Sequence, residues 1–576
     1  MGNILNAEEM TIGDYLRLSD SKSNLNIPFS QRPYVWSHDE ISRFWNDLIN
    51  VLNKEEEQHI LNFFTLYNEE KTKSSYIYDG QQRTITSVIL LCALANVYND
   101  FYQQTKIEDF KTAHNEIKEE YVVKKARFGS NKGNKNITIK FDSDDLNNFF
   151  ETYIINGIDC EDIEDLKNET KINLINTYTY FKQNINKFIE SYMTIEEKSD
   201  CLDEIVNSLI SGFIIVELKT KNKSIAERMF NTLNTTGKDL DVFYIIKNEC
   251  VTILGDIEVK PKWVDIEENL AGLPKDQFVT YFANVYNGKI KDSEAFDKIN
   301  RSNMKDSKST KTFIDNFLDA SRWYSFCRNT TNDDIFNERD ISATTISEMK
   351  NSIDILNNQQ ITSYIPVIFS MVLGRYNIDD IKDVLKRIES LMLRNKTVLG
   401  QSAQFFNNFY PNLAKKITTE HLQKDDILNE IKSVIASDKD VMEVLTKSFN
   451  KKSSTLRVIL SEIMKIKYPE IIVKSDVTVV NLEHVVPKTV TEEWKIESGE
   501  DIENYIYYIG NLTLMSTPNN SGIRNSSFKQ KKEIYKLSGI PMTTEIGNSE
   551  IEVWDKDIII KRSKELASLF LDRWEI

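Results

Sequence analysis

Between Tyr76 and Ala95 the chain reads YIYDGQQRTITSVILLCALA, a short strand that runs into a polar turn and then into a helical repeat. Ile85, Val88, Ile89, Cys92 and Ala95 recur at three- and four-residue steps, which predicts a helix with one buried face. Asp79 and Gly80 make the turn, so Gln81, Gln82 and Arg83 fall at the helix's N-terminal end. Unpaired N–H groups and the positive end of the helix dipole converge there, and Arg83 adds a donor fork suited to phosphate. For an isolated DGxxR the plainer reading is a helix cap and a surface charge.

The same patterning organises the rest. Thr11 to Leu18 reads as a short helix and Leu25 to Phe29 as a strand leading into IPFSQRPYVW, Ile27 to Trp36. Pro28 and Pro33 stiffen that loop and hold Gln31 and Arg32. Ser37 and Glu40 form a capping box for a helix from His38 to about Asn53 that buries Ile41, Phe44, Trp45 and Leu48. Residues 96 to about 205 are rich in Lys, Glu and Asn and read as helices decorating a core, with a polar loop at 127 to 132. Phe213 to Leu218 is a continuous apolar strand, and Ser224 with Glu227 caps a helix that ends at Asn234 to Gly237. From 256 to 465 only helical stripes recur, as in Ile378 to Leu399. Val477 to Val486 is strand-like again, and Pro487 stops it just after Glu483 and His484.

At 576 residues the chain is too long for one core, and about two to four domains are expected. A formal net charge of −16 argues against a protein that coats nucleic acid, so any DNA contact must come from local basic patches. The five cysteines are far apart and contain no CxxC pair, which speaks against a disulfide framework and a Cys-based zinc site. No apolar run approaches the roughly 18 to 20 residues of a membrane span, and MGNILNAEEM has neither a signal-peptide profile nor a myristoylation site. The expected compartment is the reducing cytoplasm.

The pairing of IPFSQRPYVW with YDGQQRT about 50 residues later resembles the ParB/sulfiredoxin-like nucleotidase domain of GmrSD-type modification-dependent restriction proteins, with its P-x-Y-Q-R-x-Y-x-W loop and D-G-Q-Q-R turn. Ser30 departs from that pattern, which has an aromatic residue there. The resemblance implies nucleoside triphosphate binding and hydrolysis, with Asp79, Gly80, Gln81, Gln82, Arg83, Gln31 and Arg32 as the nucleotide site. AERMFNTLNTTGKDL resembles the family's F-x-x-L-N-x-x-G-x-x-L segment, with Asn231, Asn234 and Gly237 either near the nucleotide or in a plain helix C-terminal turn. There is no Walker A motif, so NTP turnover would belong to the DGQQR site.

EHVVP, GNLTLM and PNNSGIRNSSFKQKK resemble the His-Asn-Asn form of the HNH, or ββα-metal, nuclease at the C-terminus of the same proteins. Phosphodiester hydrolysis needs a base to take a proton from water and a metal to stabilise charge on the phosphate. His484 suits the base, because its unperturbed pKa lies near neutrality. The resemblance makes His484, Asn511 and Asn520 the catalytic set, with Asn511 in the loop that orients His484 and Glu483 and Asn520 as ligands of one divalent ion. Asn519 is a register alternative to Asn520. Oxygen ligands of this kind favour magnesium or manganese. Arg524, Lys529, Lys531 and Lys532, with Lys536, would form a basic patch for DNA.

These readings give an α+β multidomain chain: a ParB-like nucleotidase domain over 1–255 with a helical insertion at about 96–205, a helical connector over 256–465, and an HNH nuclease domain over 466–576. By family analogy the substrate is modified DNA, glucosylated or phosphorothioate-marked, and the NTP site gates cutting; a homo-oligomer is compatible with this. Two alternatives are a ParB-like nucleotide-dependent DNA sensor that does not cut, and a toxin-like nuclease.

Overall fold

The computed structural model describes residues 5–17, 24–70, 74–125, 135–160, 166, 168–223, 225–226, 229, 242–337, 341–469, 480–516 and 526–576. The chain is mixed α/β and mostly helical, and it divides into two compact units, Met1–Gly272 with Asp306–Ile314, and Leu273–Lys305 with Asp315–Ile576.

The first unit is built on a six-stranded sheet. In chain order its strands and leading helices are β1 (Leu5–Thr11), α1 (Ile12–Leu16), β2 (Leu25–Asn26), α2 (His38–Leu52), β3 (His59–Glu69), β4 (Ser74–Asp79) and α3 (Gln81–Thr105). A separate short pair, β5 (Val123–Lys125) and β6 (Lys135–Ile137), precedes β7 (Ile139–Lys140) and β8 (Phe213–Thr220). The sheet order is β1-β8-β3-β4-β2-β7, with β3–β8, β2–β4 and β2–β7 parallel and β1–β8 and β3–β4 antiparallel. Thr11 caps α1 by accepting from the Asp14 N–H, and Glu40 accepts from the Ser37 N–H in the capping box of α2. The strand expected over Leu25 to Phe29 is shorter: Ile27 still donates to the Lys140 carbonyl, but Pro28 has no N–H to continue the ladder.

α3 departs from the expected amphipathic helix. Every residue from Thr84 to Tyr98 is buried, so the helix is packed on all sides and runs through the core beside Phe64, Leu66, Ile77, Phe181 and Leu209. It is long and apolar enough to cross a membrane by composition, contrary to the expectation that no such segment exists, yet its apolar stretch is 83% buried within this unit. The segments 127–132 and 230–241, with Asn231, Asn234 and Gly237, and the capping residues Ser224 and Glu227 lie outside the described residues.

In the second unit a helical array leads to one antiparallel pair, β9 (Val480–His484) and β10 (Leu512–Ser516), followed in the chain by a helix at Phe528–Tyr535 and a closing helix at Lys556–Arg573. Helices of the middle and this pair share one core, which contains Ile355, Leu393, Leu445, Ile459, Val480, Leu512, Leu514 and Phe570. The chain's end is fastened into it by polar bonds. Fully buried Arg394 donates to the carbonyls of Ala436 and Trp574 at 3.0 and 2.8 Å. Fully buried Glu389 accepts from the Trp574 indole at 2.6 Å and pairs with Arg573 at 2.9 Å.

Candidate functional site

Two polar turns carry the predicted residues, one in each unit. In the first, β4 ends at Asp79 and Gly80 adopts φ 89°, a left-handed conformation that side chains rarely take. A Cβ at Gly80 would lie 2.5 Å from the Phe64 ring, so the turn also needs glycine for space. The Gly80 N–H donates to Asp79 Oδ1 at 2.8 Å.

Arg83 is turned towards backbone. Its guanidinium donates to the Leu61 carbonyl and, at 3.0 Å, to the Phe63 carbonyl, reaches Asp79 Oδ1 at 3.3 Å, and lies 4.8 Å from the Phe64 ring centroid. These carbonyls sit where the β3–β8 register shifts between Ile60 and Phe63, at an irregularity in which Asn62 takes φ 76°. A bulge leaves ladder groups unpaired, and Arg83 supplies their donors. Burial lowers its pKa, with the Asp79 carboxylate opposing the shift. The fork predicted to face an anion thus holds the irregular stretch of β3, inside the sheet between β8 and β4.

Gln82 is engaged in the same way, donating to the Pro33 carbonyl at 3.0 Å and accepting from the Val35 N–H at 2.9 Å. Gln81 donates to the Arg32 carbonyl at 2.8 Å. The pairing of the two sequence motifs is therefore physical: two glutamine amides stitch the Pro28–Trp36 loop to the start of α3. Two buried atoms at this junction, Gln81 Oε1 and Gln31 Nε2, have no hydrogen-bond partner among the described residues, and Arg32 is half-buried. Sequence reasoning missed Lys247, the one cation in the apolar helix Val242–Leu254. Its buried ammonium sits 4.0 Å from the Phe29 ring centroid and 3.1 Å from Glu267 Oε1, and burial lowers its pKa.

The second turn is at the end of β9. His484 pairs in register with Leu512 and Glu483 with Thr513. Consecutive strand residues face opposite sides. The half-buried His484 ring meets Tyr507 edge-on at 6.3 Å, while Glu483 faces the helix Phe528–Tyr535. The His484 pKa is pushed down to about 4, first by burial and then by the positive charges of Lys488 and Lys531. At neutral pH the ring is uncharged, and the shift makes it a weaker base than the free imidazole near neutrality that the sequence suggested.

Asn511 is fully buried and its amide is wholly engaged. It donates to the Val486 and Ile506 carbonyls at 3.0 Å each, and its side-chain oxygen accepts from the Val486 N–H at 2.8 Å. Its backbone carbonyl takes the Val485 N–H at 2.9 Å. The residue fixes the two positions after His484 and presents no free atom to a substrate. Behind it, a Cβ at Gly510 would lie 2.1 Å from the Ile559 carbonyl, so the closing helix packs directly on this turn. Arg562 donates to the Gly510 and Leu512 carbonyls at 2.7 and 2.6 Å, and its burial pushes its pKa down to about 10.

The basic patch is smaller than expected. Lys529 is exposed, Lys532 is half-buried and donates to the Ile551 carbonyl at 2.7 Å, and Lys536 pairs with Glu533 at 2.6 Å. Lys531 is not on the surface at all: it is 0% exposed, with its ammonium 2.7 Å from Glu483 Oε1 and 2.7 Å from the His484 carbonyl. Phe528, Lys531 and Tyr535 recur at three- and four-residue steps and form the buried face of their helix. That spacing was the available signal for the position of Lys531.

Glu483, expected as a ligand of a divalent ion, is engaged within the protein through one oxygen. Its Oε1 already accepts from Lys531 and, at 2.8 Å, from the Tyr535 hydroxyl. A second cation would have to share this carboxylate with the Lys531 ammonium. Among the described residues no group of three or more His, Cys, Asp and Glu side chains is placed to hold a metal ion. Asn520, its alternative Asn519, and Arg524 lie outside the described residues.

Comparison with known families adds to this geometry. The N-terminal domain of GmrSD restriction endonucleases matches residues 12–251, and the C-terminal domain of GmrSD restriction endonucleases matches residues 436–569. No curated protein matches the chain. One match falls in each unit, in chain order, and together they span most of the sequence: the protein belongs to the GmrSD restriction endonuclease family.

Proposed function

We propose that this chain is an NTP-dependent DNA endonuclease of bacterial phage defence, with His484 as the general base of phosphodiester hydrolysis and the turn at α3 as the nucleotide site. The observation that carries the reading is the setting of His484, a half-buried imidazole at a strand end whose following residues are tied down by Asn511. The order of β9, β10 and the helix Phe528–Tyr535 supports a ββα nuclease unit.

In this reading His484 takes a proton from water as the water oxygen bonds to phosphorus and the bond from phosphorus to the leaving sugar oxygen breaks. The leaving oxygen collects a proton from solvent, and the imidazole returns its own to solvent. Magnesium or manganese is proposed as cofactor on the chemistry of the reaction alone, since a divalent ion offsets charge on the phosphate when bound.

At the other site, Asp79, Gly80, Gln81, Gln82, Gln31 and Arg32 surround the start of a long helix, where N–H groups point outward. The buried, unpartnered atoms of Gln31 and Gln81 support a ligand there, because such atoms cost roughly 1 to 3 kcal/mol each when unpaired. Arg83 enters this site as scaffold. The DNA is proposed, by family analogy, to be modified phage or host-marked DNA.

The test is cleavage of unmodified, glucosylated and phosphorothioate DNA by the wild-type chain with magnesium or manganese, with and without each NTP. Cutting that depends on both metal and nucleotide is the expected result. Nucleotide turnover with no cutting would favour the DNA-sensor reading, and cutting of any DNA without nucleotide would favour the toxin reading.

A further inference from the structure

We propose that Lys531, with Tyr535, is a positioning residue that clamps the Glu483 carboxylate and the His484 backbone in place, and that Glu483 is the anchor of this clamp and not a metal ligand. The inference rests on the nuclease reading of His484.

The Lys531 ammonium bridges the side chain of one strand residue and the carbonyl of the next, both at 2.7 Å. Tyr535, one helical turn further on, donates to the same Glu483 oxygen at 2.8 Å. Asn511 holds positions 485 and 486 from the β10 side. His484 is therefore bracketed, with residues 483 and 484 fixed by the helix and residues 485 and 486 fixed by Asn511. A general base must hold its ring within a fraction of an ångström of the productive position, and this bracket leaves the backbone beneath it little freedom.

A buried ion pair is a poor way to gain stability, because desolvation of both charges commonly exceeds their attraction. Here the pair is 1% and 7% exposed at its side chains and lies directly under the candidate base. An apolar pair of similar volume would pack as well but could not grip the His484 carbonyl, which needs a donor. The clamp also accounts for a lysine within a run of basic residues that is withdrawn from solvent.

The experiment compares wild type with Lys531→Met, Lys531→Arg, Glu483→Gln and Tyr535→Phe. It measures kcat and KM for plasmid cleavage, manganese affinity by calorimetry, and thermal midpoint. Lys531→Met and Glu483→Gln are expected to lower kcat by about 10- to 100-fold, the range for groups that orient a catalytic residue, with KM unchanged. Their double variant should be no worse than either alone, because both remove one clamp. Lys531→Arg should recover part of kcat, and Tyr535→Phe, which retains the ion pair and so the fold, should lose only a few-fold.

Manganese affinity should be unchanged in Glu483→Gln. Loss of manganese binding in that variant would make Glu483 a ligand and overturn the proposal. So would an unchanged kcat in Lys531→Met, a rise in KM alone, which marks a DNA contact, or, should Lys531→Met not fold, an unchanged kcat in Tyr535→Phe. A wild-type protein that cuts nothing would remove the nuclease reading itself, a result distinct from all of these.

Discussion

The two polar turns have opposite designs. At the start of α3 the predicted functional side chains hold the scaffold: Arg83 satisfies carbonyls of a strand irregularity, and Gln82 staples a loop. Among the described residues, buried Gln31 Nε2 and Gln81 Oε1 are left without a partner there. At the end of β9 the roles are divided among different residues. Asn511 and Lys531 take the structural work, and the His484 ring makes its contact with Tyr507 through an edge. Two different cations thus do the same work: a half-buried arginine and a buried lysine both serve backbone, and in the proposed reading the chemistry falls to the ring between fixed neighbours. A site that does bond-making needs one group kept free, whereas a site that senses a ligand can share its side chains with the fold.

Asn511→Ala should produce the largest loss of stability. It deletes three buried hydrogen bonds and strands the Val486 N–H and two carbonyls, for a cost on the order of 3 kcal/mol or more in the second unit. Urea unfolding should show it, and a fully stable variant would contradict the positioning role. Arg83→Ala should follow at about 2 to 3 kcal/mol, read as a lower thermal midpoint, since it leaves the Leu61 and Phe63 carbonyls without this donor. Arg83→Lys should not restore the loss, because an ammonium cannot reproduce the planar fork. If Arg83→Ala were as stable as wild type but lost nucleotide binding, the contrast between the two turns would collapse.

A third prediction concerns pH. The folded-state pKa of His484 lies at about 4, below its ordinary 6.5, so the unfolded chain binds this proton first as the solution is acidified. The contribution to stability is whole above about pH 6.5 and is lost as pH falls towards 4. An NMR titration of the ring should find its midpoint well below that of a free imidazole, and a midpoint near 6.5 would remove the argument for a desolvated base. The smallest effect is expected for the exposed Lys529. Replacing it by alanine should weaken DNA binding nearly uniformly across sequences and reduce the salt slope by about 1.

Much of this was legible in the chain. The DGQQR turn, the His38 capping box, the β8 strand and the strand ending at His484 follow from periodicity, Gly and Pro placement and cap spacing. What the sequence left open shares one cause. A sequence shows which groups a residue can offer but not which partner reaches them first. Arg83 met bulge carbonyls contributed by a strand 20 residues away, and Lys531 met a carboxylate 48 positions before it. α3 was misread for a related reason: the sequence marks the strongest apolar stripe, and a helix threaded through a core buries its Thr and Ser faces as well. The three-four spacing of Phe528, Lys531 and Tyr535 did announce a buried face, and the positive charge within it concealed that message.

The central claim is that the strand end at His484 cuts DNA while the turn at α3 handles nucleotide. The most direct test measures DNA cleavage and nucleotide hydrolysis in one preparation of His484→Ala. The account predicts that cleavage falls by about 100-fold or more, the usual contribution of a general base, while nucleotide turnover stays at the wild-type rate. Cleavage that survives the substitution would contradict it.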